Sequence, residues 1–224
     1  MDSEQKLFLP LLLVLVGCSH IPGLQKTTVA SYEPSNVHRE ERHLPSQIKR
    51  VAVLPVTAMT DESAMEFGRD TLGPILVEEL ERARLFEVVV ISSEELHLAT
   101  GRNAWTGEER LPLDFFDALK EKLGADAVLF VRLTQYRAYE PLSIGWRLKL
   151  LETDEPRILW AVDEVFDARV PGVAAAARRF AHQHPETSGD AGDGQEVLRS
   201  PRRFGQYTVS AVVGTLPSRQ IQPH

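Results

Sequence analysis

"LGADAVLFVRLTQYRAY", residues 123–139, decides the fold. Its first half, Ala127 to Val131, is an unbroken apolar run of strand length, which reads as a strand covered on both faces. Beyond Val131 the pattern drifts toward alternation, which belongs to a sheet with one face or one edge in water. The next stretch, "LSIGWRLKLLET" (residues 142–153), alternates throughout. Ile144, Trp146, Leu148 and Leu150 fall on one side, and Arg147 and Lys149 on the other. "TDEP" (153–156) is turn chemistry and leads into "RILWAVDEVFDARV" (157–170), so the last two strands form a hairpin. Within it Asp163 and Glu164 point to opposite faces and make no acid–base pair.

Upstream, "RVAVLPV" (50–56) and "FEVVVIS" (86–92) are short β-branched runs, each a buried strand by length and composition. Between them, residues 61–86 place Met65, Leu72, Ile75, Leu76, Leu80 and Ala83 on one helical face. Gly73-Pro74 is expected to kink that helix or to mark the start of its regular part. Residues 113–125 predict a shorter helix, with Asp114 at its N-cap and Gly124 as its stop. Val173 to His184 predicts another. Residues 185–199, rich in Gly and Asp, read as a disordered linker. Ser200-Pro201 then opens a C-terminal helix and tail over 200–224. The expected fold is α/β: a single, three-layer-like domain over 49–184 in the order β-α-β-α-β-β-β-α, its mixed sheet flanked by helices, plus the C-terminal helix.

With 224 residues the chain has room for one domain with a proper core. A net charge of −7, with no stripe of Lys and Arg, argues against nucleic acid as a partner. The single cysteine excludes an intramolecular disulfide and a multi-cysteine zinc site. That cysteine, Cys18, closes an apolar run of 11 residues, Leu7 to Gly17. Such a run is too short to span a bilayer and has the length of a signal-peptide core. The preceding residues depart from that pattern, since Asp2 and Glu4 outweigh Lys6. Leu15-Val16-Gly17-Cys18 resembles the bacterial lipobox, whose cysteine is lipidated and becomes the new amino terminus. That resemblance implies that residues 1–17 are a discarded signal peptide and that Cys18 is an acylated membrane anchor. Two or more acyl chains, each contributing roughly 0.8 kcal/mol per buried CH₂, hold a protein stably. By resemblance to lipoproteins of Gram-negative enteric bacteria, Ser19 rather than an aspartate after the cysteine implies the periplasmic face of the outer membrane. Residues 18–48, with three prolines and scattered charge, read as a flexible tether.

Taken together, "RVAVLPV", "ARLFEVVVIS", "LGADAVLFVRLTQY" and a hairpin leading into "ILW" resemble a group of bacterial envelope lipoproteins. The group includes the penicillin-binding-protein activator, the curli secretion channel lipoprotein and the N-terminal domain of the Tol translocation protein. The resemblance covers Lys49 to Arg169 and implies a mixed sheet flanked by helices with a non-enzymatic binding role. A barrel-forming channel is not expected, because the spare segment 93–113 is too charged and too interrupted by glycine to supply membrane strands.

No nucleophile elbow, phosphate loop or zinc-protease helix motif is present, and neither a cofactor nor a metal is expected. His182 and His184 lie two apart on a helix end and do not face each other. Asp61-Glu62 follows the first strand, where α/β folds place ligands, but acidic residues there also favour a helix amino terminus. Trp105 sits in a polar loop, either as an anchor for a partner or folded back as a lid on the core. Tyr136 and Tyr139, at a strand end, are candidates for the same contact surface, whereas Trp146 and Trp160 read as packing residues. The expected role is a lipid-anchored envelope binding or adaptor protein without catalysis, partnered by an envelope protein. The alternatives are a subunit of a homo-oligomeric or secretion-associated assembly and a hydrolase with a dispersed site.

Overall fold

The computed structural model describes residues 32–184 and 194–220. Cys18 and the segment before it, together with residues 185–193 of the expected linker, lie outside the described residues. Strands β1 (Val37–Arg39), β2 (His43–Leu44), β3 (Arg50–Val53) and β4 (Thr57–Ala58) precede helix α1 (Ser63–Ala83). Then come β5 (Glu87–Val90), α2 (Ser93–Thr100), α3 (Phe115–Leu123), β6 (Ala127–Arg137), β7 (Ser143–Glu152) and β8 (Ile158–Asp167). After α4 (Pro171–Gln183) the described chain resumes in a 3₁₀ turn (Gln195–Leu198), followed by α5 (Pro201–Val213) and β9 (Ser218–Arg219). The main sheet has seven strands in the order β1-β8-β7-β6-β3-β5, with β4 continuing beside β6. β3 runs parallel to both β5 and β6, and β6, β7 and β8 form an antiparallel meander, so the sheet is mixed as the sequence implies.

The alternation within the meander sets the layers. Ile144, Trp146, Leu148 and Leu150 all enter the larger core, shared with Leu72, Leu76 and Leu80 of α1 and with Phe204, Val209 and Val212 of α5. On the other face Val128 and Phe130 of β6 pack with Leu96 of α2 and with Phe115 and Leu119 of α3. Both tryptophans of the meander are fully buried packing residues whose indole N–H groups meet hydroxyls. Trp146 donates to Thr208 Oγ1 at 3.0 Å and Trp160 to Thr215 Oγ1 at 3.1 Å. These bonds pin the middle of α5 and the turn just after it to the sheet without leaving either indole donor unpaired. Two glycines allow the close approach of α1. A Cβ at Gly68 would come within 2.5 Å of the Tyr136 ring, and one at Gly205 within 2.3 Å of Leu72.

Helix ends follow local chemistry. Gly124 adopts φ 64° after α3, and the Ser200 hydroxyl accepts from Arg203 N–H ahead of Pro201. Asp114 occupies the N-cap of α3 without making a side-chain capping bond. Pro74 lies inside α1, which runs on through it, and does not mark the helix start.

Three expectations change. The expected tether folds from Tyr32 onward: β1 pairs with β8, β2 pairs with β9, and Leu44 and Ile48 are buried. Burying a side chain such as Ile48 is worth roughly 1.5–3 kcal/mol, a strong reason for the segment to leave solvent despite its prolines. The chain after α5 is likewise structured as far as Gln220. Arg219 of β9 donates to the carbonyls of Leu85 and Ile48, and Arg39 Nε donates to Thr215 O at 2.6 Å. Finally, the end of the expected linker forms the 3₁₀ turn and buries Val197 against the core. The segments at the two ends of the described residues thus hold one another.

Thr208→Val keeps the shape of the side chain but removes the acceptor for the Trp146 indole. It should destabilise the fold by about 1–3 kcal/mol in chemical denaturation, the cost of a buried unpaired donor. A neutral result would mean the bond does not pin α5.

Candidate binding crevice

β3 and β5 are parallel neighbours, but the chain leaves β3 toward α1 on one face and leaves β5 toward α2 and α3 on the other. Connections that diverge in this way open a crevice at the carboxyl ends of the strands, where open α/β sheets bind ligands. Here the crevice has a volume of about 650 Å³. One wall is formed by Pro55 to Ala58, Asp61, Arg69, Asp70 and Pro74, and the other by Ser93, Arg102 to Ala104, Thr106 and Glu109. Asp61 therefore does line a cleft after the first parallel strand. Glu62 instead takes the N-cap of α1, with no side-chain capping bond.

The second wall is built by α2 and the loop behind it. A capping box starts α2: Ser92 Oγ accepts from Glu95 N–H at 3.1 Å, and Glu95 Oε2 accepts from Ser92 N–H at 2.9 Å. The bond from the Ser92 backbone, joined by its hydroxyl, holds the Glu95 carboxyl below the ordinary carboxylate range. At the end of α2, Thr100 Oγ1 donates to Leu96 O and accepts from Trp105 Nε1, both at 2.8 Å. The Trp105 ring lies edge-on to Phe115 at 5.6 Å and beneath the Arg102 guanidinium at 4.1 Å. Arg102 in turn pairs with Glu109 at 2.8 Å, and Glu109 also accepts from the Thr106 N–H and hydroxyl. Burial raises the Glu109 pKa, but the hydrogen bonds from Thr106 and Arg102 outweigh it and hold the carboxyl below its ordinary value.

Trp105 is thus no exposed anchor. It is 5% exposed, folded back into the smaller core, and supports the crevice wall from behind. Tyr136 is also buried, on the opposite face of the sheet beneath Gly68, and burial raises its phenol pKa. Of the three aromatic residues expected to share a contact surface, only Tyr139 is open to solvent, and the structure does not bring them together. The physical reason is the period of the sheet: a loop packed on one face cannot meet a strand residue buried on the other.

A second polar feature lies on the open face of the meander. Arg132 and Arg147 stand directly opposite each other in the register of β6 and β7. Such a like-charge pair needs a counterion. Glu108 supplies it, reaching Arg132 at 2.9 Å and both Arg147 and Lys149 at 3.8 Å, while Asp163 takes Arg147 at 2.6 Å. Glu164 faces the other way, toward Tyr32. Lys149 Nζ also donates to Gly107 O at 2.8 Å, so these charges fasten the crevice loop to the sheet. Among the described residues no group of three or more His, Cys, Asp or Glu side chains is placed to hold a metal ion. His184 bonds the Phe180 carbonyl and stacks on its ring. No helix among the described residues is long and apolar enough to cross a membrane.

No protein-family model matches the chain, and no curated protein matches it. Among solved structures it is similar to a PelC dodecamer from Paraburkholderia phytofirmans, at 11% identity over 84% of this chain and 97% of that one, with a TM-score of 0.44. It is also similar to lipoprotein GNA1162 from Neisseria meningitidis, at 13% identity over 63% of this chain and 98% of that one, with a TM-score of 0.40. A third is the LpoB C-terminal domain from Salmonella enterica, at 12% identity over 53% of this chain and 82% of that one, with a TM-score of 0.32. At such identities and scores, nothing about this chain's partners or assembly follows from these likenesses.

Because Glu109 is depressed below its unfolded value, its bonds stabilise the loop above the ordinary carboxylate range and are lost as pH falls through the folded value. Glu109→Gln should speed amide hydrogen exchange across residues 101–110 at neutral pH while leaving β6 and β7 protected. The wild type should loosen the same residues on acidification, after correction for intrinsic exchange rates. Equal protection in both proteins would show that the carboxylate does not hold the loop.

Proposed function

We propose that this chain is a lipid-anchored protein of the bacterial cell envelope, whose α/β domain binds an envelope partner and carries out no chemistry of its own. The observation that supports this most is Leu15-Val16-Gly17-Cys18 at the end of an apolar run of signal-peptide length, with no other cysteine in the chain. Ser19 after the cysteine favours the periplasmic face of the outer membrane. The crevice at the carboxyl ends of β3 and β5 is the surface we assign to the partner. Arg69 is paired with Asp70 and Arg102 with Glu109, an arrangement that shapes a wall rather than one that poises an acid and a base over a substrate. A second reading, a subunit of a homo-oligomeric assembly, draws on β5, an edge strand with Val90 exposed that can accept a further strand.

Intact mass and detergent partitioning of the full chain and of Cys18→Ser, both expressed in a Gram-negative host, test the anchor. Cleavage after Gly17 and a lipid-sized mass gain in the wild type, both lost in the variant, are the expected outcome. A soluble, unprocessed wild type would overturn it. Mass measurement of the lipidated protein in detergent separates monomer from defined oligomer.

A further inference from the structure

Tyr32, the first described residue, is held against the sheet. Its hydroxyl donates to Glu164 Oε1 at 2.8 Å and its ring meets Phe166 edge-on at 5.6 Å, beside the carboxyl end of β8. The register carries this level across the sheet: Phe166 faces Ile144, and Ile144 faces Tyr136 near the carboxyl end of β6. Four large apolar side chains are exposed at the same end. Met59 hangs beside Leu133, whose carbonyl accepts its N–H at 3.0 Å. Phe67 adjoins Gly68, which packs on the Tyr136 ring; Tyr139 lies in the turn after β6; and Val170 follows β8. They are 48%, 62%, 74% and 45% exposed, respectively. Arg137, Arg169 and Arg199 stand among them, paired with Asp167 and Glu140, and Asp61, Glu62 and Glu66 are exposed beside Met59 and Phe67. The opposite end of the sheet carries ion pairs at its turns and strand starts, Arg50 with Glu87 and Lys120 with Asp154, with Glu155 beside them.

A cluster of exposed aromatic and aliphatic side chains at one end marks a surface that meets another phase or molecule. We propose that this end of the sheet sits on the lipid bilayer, with Phe67 and Tyr139 in the headgroup region. The proposal rests on the reading of Cys18 as the anchor. Only thirteen residues lie between Cys18 and Tyr32, and the connection spans at most about 50 Å. They deliver the chain to the apolar end, whereas seating the charged end on the bilayer would require them also to run the length of β8. This end carries no excess of basic residues, so apolar insertion rather than attraction to anionic headgroups supplies the binding, with tyrosine suited to the boundary between apolar and wet layers. The crevice then opens close to the membrane surface, and the charged hairpin turn of β7 and β8 points away from it.

In the mature lipidated protein the only native cysteine is blocked, so Phe67→Cys, Tyr139→Cys and Glu155→Cys each create a single reactive thiol. Each variant of the full chain is labelled with an environment-sensitive fluorophore and reconstituted in phosphatidylethanolamine–phosphatidylglycerol vesicles with or without brominated lipid. Labels at 67 and 139 should shift to the blue and lose about half their emission to the brominated chains, given insertion roughly 5–10 Å deep, while a label at 155 should do neither. If 67 and 139 behave like 155, or if 155 alone is quenched, the orientation is wrong. A protein without lipid mass that fails to float with vesicles overturns the anchor itself. Intact mass detects that failure before any label is attached.

Discussion

Everything in this domain is positioned by the pairing of β6. One edge of that strand bonds in parallel to β3 and then to β4, and the other bonds antiparallel to β7 over most of its length. A strand buried on both faces must satisfy its backbone groups within the sheet, so both edges are obligatory partners rather than options. The parallel edge forces crossover helices, which creates the divergence and hence the crevice. The antiparallel edge permits a direct hairpin, which yields the long meander with one open, charged face. Two kinds of surface thus come from the two sides of one strand.

The apolar strand runs and the helical faces were legible because their periods are strong. Ile144, Trp146, Leu148 and Leu150 all lie where alternation puts them, and Gly124 stops α3 as its place in the sequence implies. The short pieces were not legible. β1, β2 and β9 hold three, two and two residues, too few for any period to show, and each exists only because a distant strand supplies its bonds. α2 was legible in principle, since Ser92 and Glu95 have the spacing of a capping box. Its weak amphipathicity and charged surroundings hid it within a segment that reads as loop.

The crevice was only half readable. Asp61 follows an apolar strand, and that position alone points to the carboxyl end of the sheet. The second wall depends on contacts between Trp105, Thr100, Arg102 and Glu109, a set that composition describes only as a polar loop with one tryptophan. Trp105 shows the limit well. Nothing local distinguishes a tryptophan waiting for a partner from one that already has Phe115 beside it.

The N-terminal segment has a mechanical meaning. The chain enters beside the carboxyl end of β8, and β1 runs antiparallel to that strand. A pull applied to the chain ahead of Tyr32 therefore acts along the strand axis, loading the β1–β8 bonds together in shear instead of peeling them one at a time. The parallel pairing of β2 with β9 and the grip of Arg219 on the Ile48 carbonyl stand next in series. A domain tied in this manner can take a pull at its N-terminal side while its core stays folded.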